Sequence, residues 1–347
     1  ELIIEDGTLQ WIDHKASHPE PYYLLGVNLS LSNAGRRHRL TFSADFPADL
    51  CIHCEIDIDI EGNPLLGDDW GGRATINAVG LDLAGLPAAI KNSLPLALAG
   101  RVDLQLRTQW VQGQPRVAQG NIDAFGLVVP AFVSREPLLI ERLRGRLRWQ
   151  GNENGWRLEV DDAVLALGGT PWSAGHLRLD HNVDTTHVRI RHVSVDQLVN
   201  FSRHFEVPKQ ARFYLDGLKP AGSVNDLLIK WDRRADAKSK FFLKARLANI
   251  SIDQFGKLPG IEGLSGRLVL TPSHGGLFLD THHGSLSLPH VFREKISVRR
   301  LVGQVQWEKK EDRWEIAAHD IRLTGDAVAR GNLLLQLPFD SKISSHL

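Results

Sequence analysis

The string LRGRLRW at 143–149 returns as LVGQVQW at 301–307, and in weaker form as LAGRVDL at 98–104 and LSGRLVL at 264–270. Read as strands, these strings send alternate side chains to opposite faces. Leu143, Gly145, Leu147 and Trp149 then share an apolar face, while Arg144, Arg146 and Arg148 share a charged one. The other copies repeat the pattern with Leu301, Gly303, Val305 and Trp307, with Leu98, Gly100, Val102 and Leu104, and with Leu264, Gly266 and Leu268. One dry face and one wet face are expected of an antiparallel sheet that meets water on a single side. A glycine on the apolar face of every copy predicts a sheet that bends, or admits another group closely, at that point.

The same period of two runs through most of the chain. Leu25, Val27, Leu29 and Leu31 make one run; Leu40, Phe42, Ala44 and Phe46 make the next; Ile52, Cys54, Ile56, Ile58 and Ile60 make a third. Later runs carry Leu158, then Leu227 and Ile229, then Leu243 with Ala245 and Leu247, then Leu333 with Leu335. Turn-forming clusters such as SNAGRR, EGNP, QGNENG and TPSHGG separate many of them. The count comes to about 18 strands. Helical patterning is sparse: 86–94, 195–205 with Asp196 as N-cap, and at most a turn within 253–263.

A longer self-similarity links 141–169 with 299–326. The pairs Trp149/Trp156 and Trp307/Trp314 have equal separation, and Asp162 matches Asp320. Repetition on this scale points to a quasi-one-dimensional stack. The fold expected is all-β: an elongated, curved antiparallel sheet forming an open groove of repeated units, with a few short helices. It is read as one continuous segment over 1–347, with sub-units near 1–95, 96–195 and 196–347 and no independent catalytic domain.

Charge and composition narrow the function. The 41 basic and 41 acidic residues balance and are scattered, which argues against nucleic acid as a partner. No run of 18 apolar residues is present, so no transmembrane helix is expected in these residues. The chain begins with Glu and contains no Met, which suggests a piece of something longer.

Catalytic signatures are missing. There is no phosphate loop, nucleophile elbow, His-Glu-x-x-His helix or dinucleotide fingerprint, so no enzyme activity and no cofactor are expected. Cys51 and Cys54 invite a redox or zinc reading, but no second ligand pair stands out. Strand alternation places Cys54 on the apolar face and Cys51 on the other, which favours a structural role. His274, His282, His283 and His290 do not converge at strand spacing, and no metal site is expected. The acidic row Glu55, Asp57, Asp59 and Glu61 reads as a solvated strand face rather than a calcium site. Arginines near aromatics at 142–149 and 212–214 read as facing water. Trp110, Trp149, Trp231 and Trp307 close alternating runs in phase with the apolar residues, which suits core packing or the rim of a lipid-binding surface.

A sheet with one apolar face must hide it. A second sheet can cover it, the sheet can close on itself, or a ligand can line it. Too few amphipathic helices are present to do the work. About 18 strands at ~4.8 Å each make a trough on the order of 85 Å long, which suits a conduit for acyl chains better than a pocket. A structural β-solenoid or stacked-sandwich module without ligand is the alternative; a glycan-active solenoid would need inward carboxylates, and the acids alternate with the apolar residues instead.

The stretch from KARLANISIDQF through ISVRRLVGQVQW, at 244–307, resembles the bacterial AsmA-like family, YhdP type. LKPAGSVNDLLIKW at 218–231, LGGTPWSAGHLRL at 167–179 and DDWGGRATINAVGLDL at 68–83 are similar to it as well. The resemblance implies a periplasmic β-groove carrying phospholipid between the inner and outer membranes of Gram-negative bacteria. It also implies an inner-membrane anchor that is absent from this piece, and envelope protein partners at the ends of the bridge. It supplies no catalytic residue, only a lining.

Overall fold

The computed structural model describes residues 1–12, 21–63, 70–86, 99–129, 137–167, 169–202, 209–234, 241–256, 258–288 and 294–338. The chain divides into two compact units, Glu1–His176 and Leu177–Leu347. The first holds β1 (Leu2–Ile12), β2 (Pro21–Ala34), β3 (Arg37–Asp45), β4 (His53–Gly62), β5 (Trp70–Asp82), β6 (Ala99–Val111), β7 (Gln114–Val129), β8 (Leu138–Asn152) and β9 (Gly155–Leu167). Strand β10 (Thr170–Asn182) runs across the boundary. The second unit continues with β11 (Thr185–Ser194), α1 (Val195–Ser202), α2 (Lys209–Leu218), β12 (Ala221–Asp232), β13 (Phe241–Ile252), β14 (Gly260–Leu270), β15 (His274–Ser287), β16 (Ile296–Lys309), β17 (Arg313–Gly325) and β18 (Val328–Pro338).

Within each unit every strand pairs antiparallel with its sequence neighbour, as short turns between strands dictate. The structure is therefore all-β and antiparallel, with two helices among the described residues. Helix α1 forms where 195–205 was expected to be helical; Asp196 lies in its first turn, where a carboxylate suits the positive end of the helix dipole. Helix α2 was not anticipated from the sequence. Most of the expected 86–94 helix lies outside the described residues. The 253–263 stretch makes a bridge between Phe255 and Leu258 and then enters β14.

Many strands carry a β-bulge. Asp6, Gly26, Gly80, Gly126 and Asp162 in the first unit, and Asp226, Asn249, Gly263, His283 and Asp320 in the second, have left-handed backbone torsions. Register slips accompany them, as between Leu25 and Asn28, Ala78 and Leu81, and Asn225 and Leu228. Asp, Asn and Gly tolerate this conformation, and the extra residue bends and twists the strand. It also switches the phase of alternation, so a run read as uniform changes face partway. Leu25 is the casualty: it pairs with Asp45 on the polar face and is 56% exposed, while Leu24 takes the apolar side at 4%.

Bulges account for three of the four repeated glycines; the fourth, Gly266, pairs in register with Leu247 and Leu279, and a Cβ there would stand 2.3 Å from the Phe278 carbonyl. Gly145 faces the bulged pair Asp162–Ala163, and Gly303 faces Asp320–Ile321. Gly100 likewise lies against the bulge at Gly126. A Cβ on Gly145 would stand 2.6 Å from Val160 Cγ1 and 3.1 Å from the Asp161 carbonyl; on Gly303 it would stand 2.6 Å from Ile321 Cδ1 and 3.0 Å from Ile321 Cα. The matched Asp162 and Asp320 are thus the two halves of one device: an aspartate that kinks its strand, and a glycine that makes room for the kink.

Apolar side chains near the bulges are the buried ones. Leu24, Val27 and Ala44 form one cluster, Cys51, Cys54 and Ala78 a second, and Leu83, Val102, Ala124 and Leu127 a third. Cys51 and Cys54 form a disulfide, and both are buried. The assignment of Cys51 to the opposite face does not hold. It precedes β4, in a turn where Pro47 O accepts from Leu50 N and Cys51 N, so strand alternation does not reach it. The buried hydroxyl of Thr281 is satisfied by Ser265, accepting from its N–H at 2.9 Å and donating to its carbonyl at 3.2 Å.

The other face is a lattice of cross-strand charges. Arg37 pairs with Glu61, and Asp59 sits between Arg39 and Arg73. Arg142 grips Asp123 with two bonds of 2.9 and 2.8 Å, and Arg146 reaches Asp162 at 2.6 Å. Exposed pairs of this kind contribute about 0–1 kcal/mol each, so they tune register more than they hold the fold. His53 lies between Asp45 Oδ1 at 2.7 Å and Glu55 Oε1 at 3.3 Å. The hydrogen bond to Asp45, then that to Glu55, raises its pKa above 6.5.

Two outcomes follow. Gly303→Val should destabilise the protein by about 1–3 kcal/mol in urea unfolding, through overpacking against the bulge. Gly331→Ala, where an added methyl meets nothing within 4 Å, should be nearly neutral in the same assay. Because the folded His53 pKa is raised, its contribution is fully present below the unfolded value of 6.5 and fades as pH climbs through the folded value. NMR titration of the His53 ring should show this raised pKa, and Asp45→Asn should lower it; an unchanged midpoint would contradict the pairing.

Candidate functional site: the uncovered apolar face

Cross-strand registers extend the apolar face strand by strand. In the first unit one row runs Ile4, Leu29, Phe42, Ile56, Ile76, Leu106. A neighbouring row links Leu40, Ile58 and Ala74, and a third links Ala78, Leu104, Ile122 and Gly145. In the second, Ile229, Leu243 and Leu270 form one row; Ala245, Leu268, Leu277 and Val305 form another. A third row passes through Leu247, Gly266, Leu279 and Gly303.

Most residues expected on this face are found there by register. Val27, Gly100, Val102, Leu143, Leu147, Trp149 and Leu158 share it in the first unit. Leu227, Leu264, Leu301, Trp307, Leu333 and Leu335 share it in the second. Leu25 does not, for the reason given above, and Leu98 lies outside the described residues. The sequence reading missed Ile4, Leu9 and Trp11 of β1, which pair with Leu29, Leu24 and Tyr22. Their phase changes across Asp6–Gly7. An Asp, Asn or Gly sitting where apolar alternation shifts by one is the signal that would have found them.

Among the described residues the extensive strand contacts are between sequence neighbours, and α1 packs against β11 and β12. Side chains such as Leu29, Phe42, Ile56 and Leu243 stay half-exposed as a result.

The polar face offers no chemistry to compete. A shallow depression of about 560 Å³ there is lined by Asn28, Ser30, Thr41, Glu55, Asp57 and Asn77, with no convergent acid, base and nucleophile. The carboxylates that depart from ordinary values, Glu55, Asp123, Asp161, Asp232, Glu262 and Glu308, all move down. Ion pairs and hydrogen bonds cause this: Arg142 at Asp123, Lys295 with Ser285 at Glu262, and Arg234 at Asp232, which falls to about 2. A general acid needs the opposite shift. The acidic row of β4 is opposed by arginines rather than gathered, and Arg39 reaches Asp57 at 3.3 Å. His282 pairs with Asp280 at 3.3 Å, and His283 is a bulge residue. No group of three metal-binding side chains converges among the described residues.

Comparison with known proteins agrees with this geometry. The family profile described as "YhdP protein" matches residues 1–346. The intermembrane phospholipid transporter YhdP of Escherichia coli (strain K12) is 22% identical over 192 residues, which cover 51% of this chain and 15% of that protein. The aligned stretch is therefore a small part of the relative's length. No solved structure matches the chain. With the profile spanning nearly every residue, the chain belongs to the YhdP protein family.

Proposed function

We propose that this chain is a periplasmic stretch of a conduit that carries phospholipid acyl chains along its apolar face between the inner and outer membranes. The observation that carries the reading is, in each unit, an aliphatic face whose cross-strand rows stay partly exposed, as at Leu29, Phe42 and Ile56 and at Leu243 and Leu268. Membership of the YhdP family and the name of the Escherichia coli relative support phospholipid as the cargo. Each unit supplies a length of groove, and the protein is joined to the inner membrane by an anchor and meets other envelope proteins. It performs no catalysis.

The physics suits transfer. Each methylene laid on the face is stabilised by about 0.8 kcal/mol, so ten of them contribute on the order of 8 kcal/mol. That is enough to hold a chain out of water. Apolar contact is non-directional, so a lipid shifted by one strand exchanges one set of contacts for a similar set. A row of Leu, Ile, Val and Phe therefore binds without fixing position, and charged headgroups remain in water.

Purified protein should carry phospholipid, seen by native mass spectrometry and by thin-layer chromatography of the extract. A photoreactive residue at Leu104 or Leu106 should crosslink to lipid, while one at Asp103, on the charged face, should not. A folded, lipid-free protein that takes up no added phospholipid would favour the ligand-free structural module instead.

A further inference from the structure

The two ends of the apolar face differ. In both units one rim is formed by the β2–β3, β4–β5, β6–β7, β8–β9, β12–β13, β14–β15 and β16–β17 connections, and the other by the alternate connections. Seven of the nine tryptophans lie at the first rim: Trp70, Trp110, Trp149 and Trp156 in the first unit, Trp231, Trp307 and Trp314 in the second. Register places all seven on the apolar face. Trp110 pairs with Gly72, Trp149 with Leu158, Trp156 with Gly151, Trp231 with Phe241, and Trp307 with Ile316.

None of the seven is buried. Trp70 and Trp110 stack at 5.6 Å, Trp231 meets Phe241 edge-on at 5.4 Å, and Trp307 lies over Gly275. These rings are fixed by their neighbours yet present surface to the open face.

Exposure differs between the two ends of a strand. On β12, Val224 is 6% exposed and Leu227 4%, whereas Trp231 is 52% exposed. On β6, Val102 is buried at 4%, whereas Leu104, Leu106 and Trp110 are partly exposed. The buried end is the end with the bulges, where the sheet bends and aliphatic side chains close on one another. The open end is the tryptophan rim.

Indole is an apolar ring with one N–H donor, and it concentrates where hydrocarbon gives way to polar groups. An aliphatic core packed for stability alone has no reason to gather seven of nine tryptophans, none of them buried, at one rim. We propose that the tryptophan rim sets lipid orientation in each unit: the glycerol-ester and headgroup region of a bound phospholipid lies at the rim, beside Trp110 in the first unit or Trp307 in the second, and its acyl chains point along the strands toward the bulges. Flat ring faces then meet the ester region; the Trp110 N–H already donates to Thr108 Oγ1 at 3.0 Å, so that ring contributes its surface rather than a hydrogen bond, and the terminal methyls meet Leu143 or Leu264. This rests on the lipid-conduit reading and adds to it a fixed polarity across the sheet.

The native protein is its own reporter, because seven of nine tryptophans occupy that rim. It is loaded with phosphatidylethanolamine bearing a nitroxide either beside the ester carbonyls or near the terminal methyl, and lipid occupancy is measured on the same sample. The carbonyl-side label should quench intrinsic fluorescence about twofold more than the terminal label at equal occupancy. Trp110→Phe with Trp307→Phe should shrink that difference while lipid still binds. Equal quenching, stronger quenching by the terminal label, or no quenching despite bound lipid would overturn the orientation and leave the conduit standing. Failure of either lipid to bind would overturn both.

Discussion

The hydrogen-bonded ladder between consecutive strands is the constraint on which everything else depends. Each strand satisfies its backbone with the strand before it and the strand after it, so no distant segment is needed to complete the sheet. Stability then accumulates from neighbour to neighbour, as in other repeat architectures. The ladder uses the edges of each strand and leaves both side-chain faces free. One face is charged and content in water; the other is aliphatic and is not. That imbalance is the feature on which the proposed lipid binding rests.

The bulges give the imbalance a direction. A regular pleated sheet would expose its apolar side uniformly from end to end. Left-handed residues such as Asp162, Asn249 and Asp320 bend their strands near one end, and the side chains there bury one another. The core of each unit is consequently a strip rather than a centre. The rest of the face keeps partly exposed aliphatic side chains, and most of the tryptophans stand at its far edge.

Charge plays the lesser part. Ion pairs such as Arg142–Asp123 and Lys295–Glu262 shift pKa values and help fix register, yet they lie in solvent-facing positions where screening is strong. The Cys51–Cys54 disulfide belongs with the packing rather than with the chemistry: it ties a turn beside β4 and buries both sulfurs against Ala78, Phe46 and Leu104.

Alternation of residue types determined the strand content, the antiparallel order and the identity of the apolar side, because a period of two is written residue by residue and needs no partner to be read. It located residues as separate as Phe42, Leu147, Ile229 and Val305 on that side. Where single residues break the period, only the folded sheet could decide. Leu25 and Leu24 are both leucines, and which of them turns inward depends on the torsion of Gly26 and the pairing with β3. Cys51 joins Cys54 because a turn ends before the strand begins, and helix α2 carries a short stripe, Ala211, Tyr214, Leu215 and Leu218, that the sequence reading passed over. The repeated glycine was visible in the sequence, but its cause at Gly145 and Gly303, a bulged aspartate on the facing strand, exists only once two strands have been brought side by side.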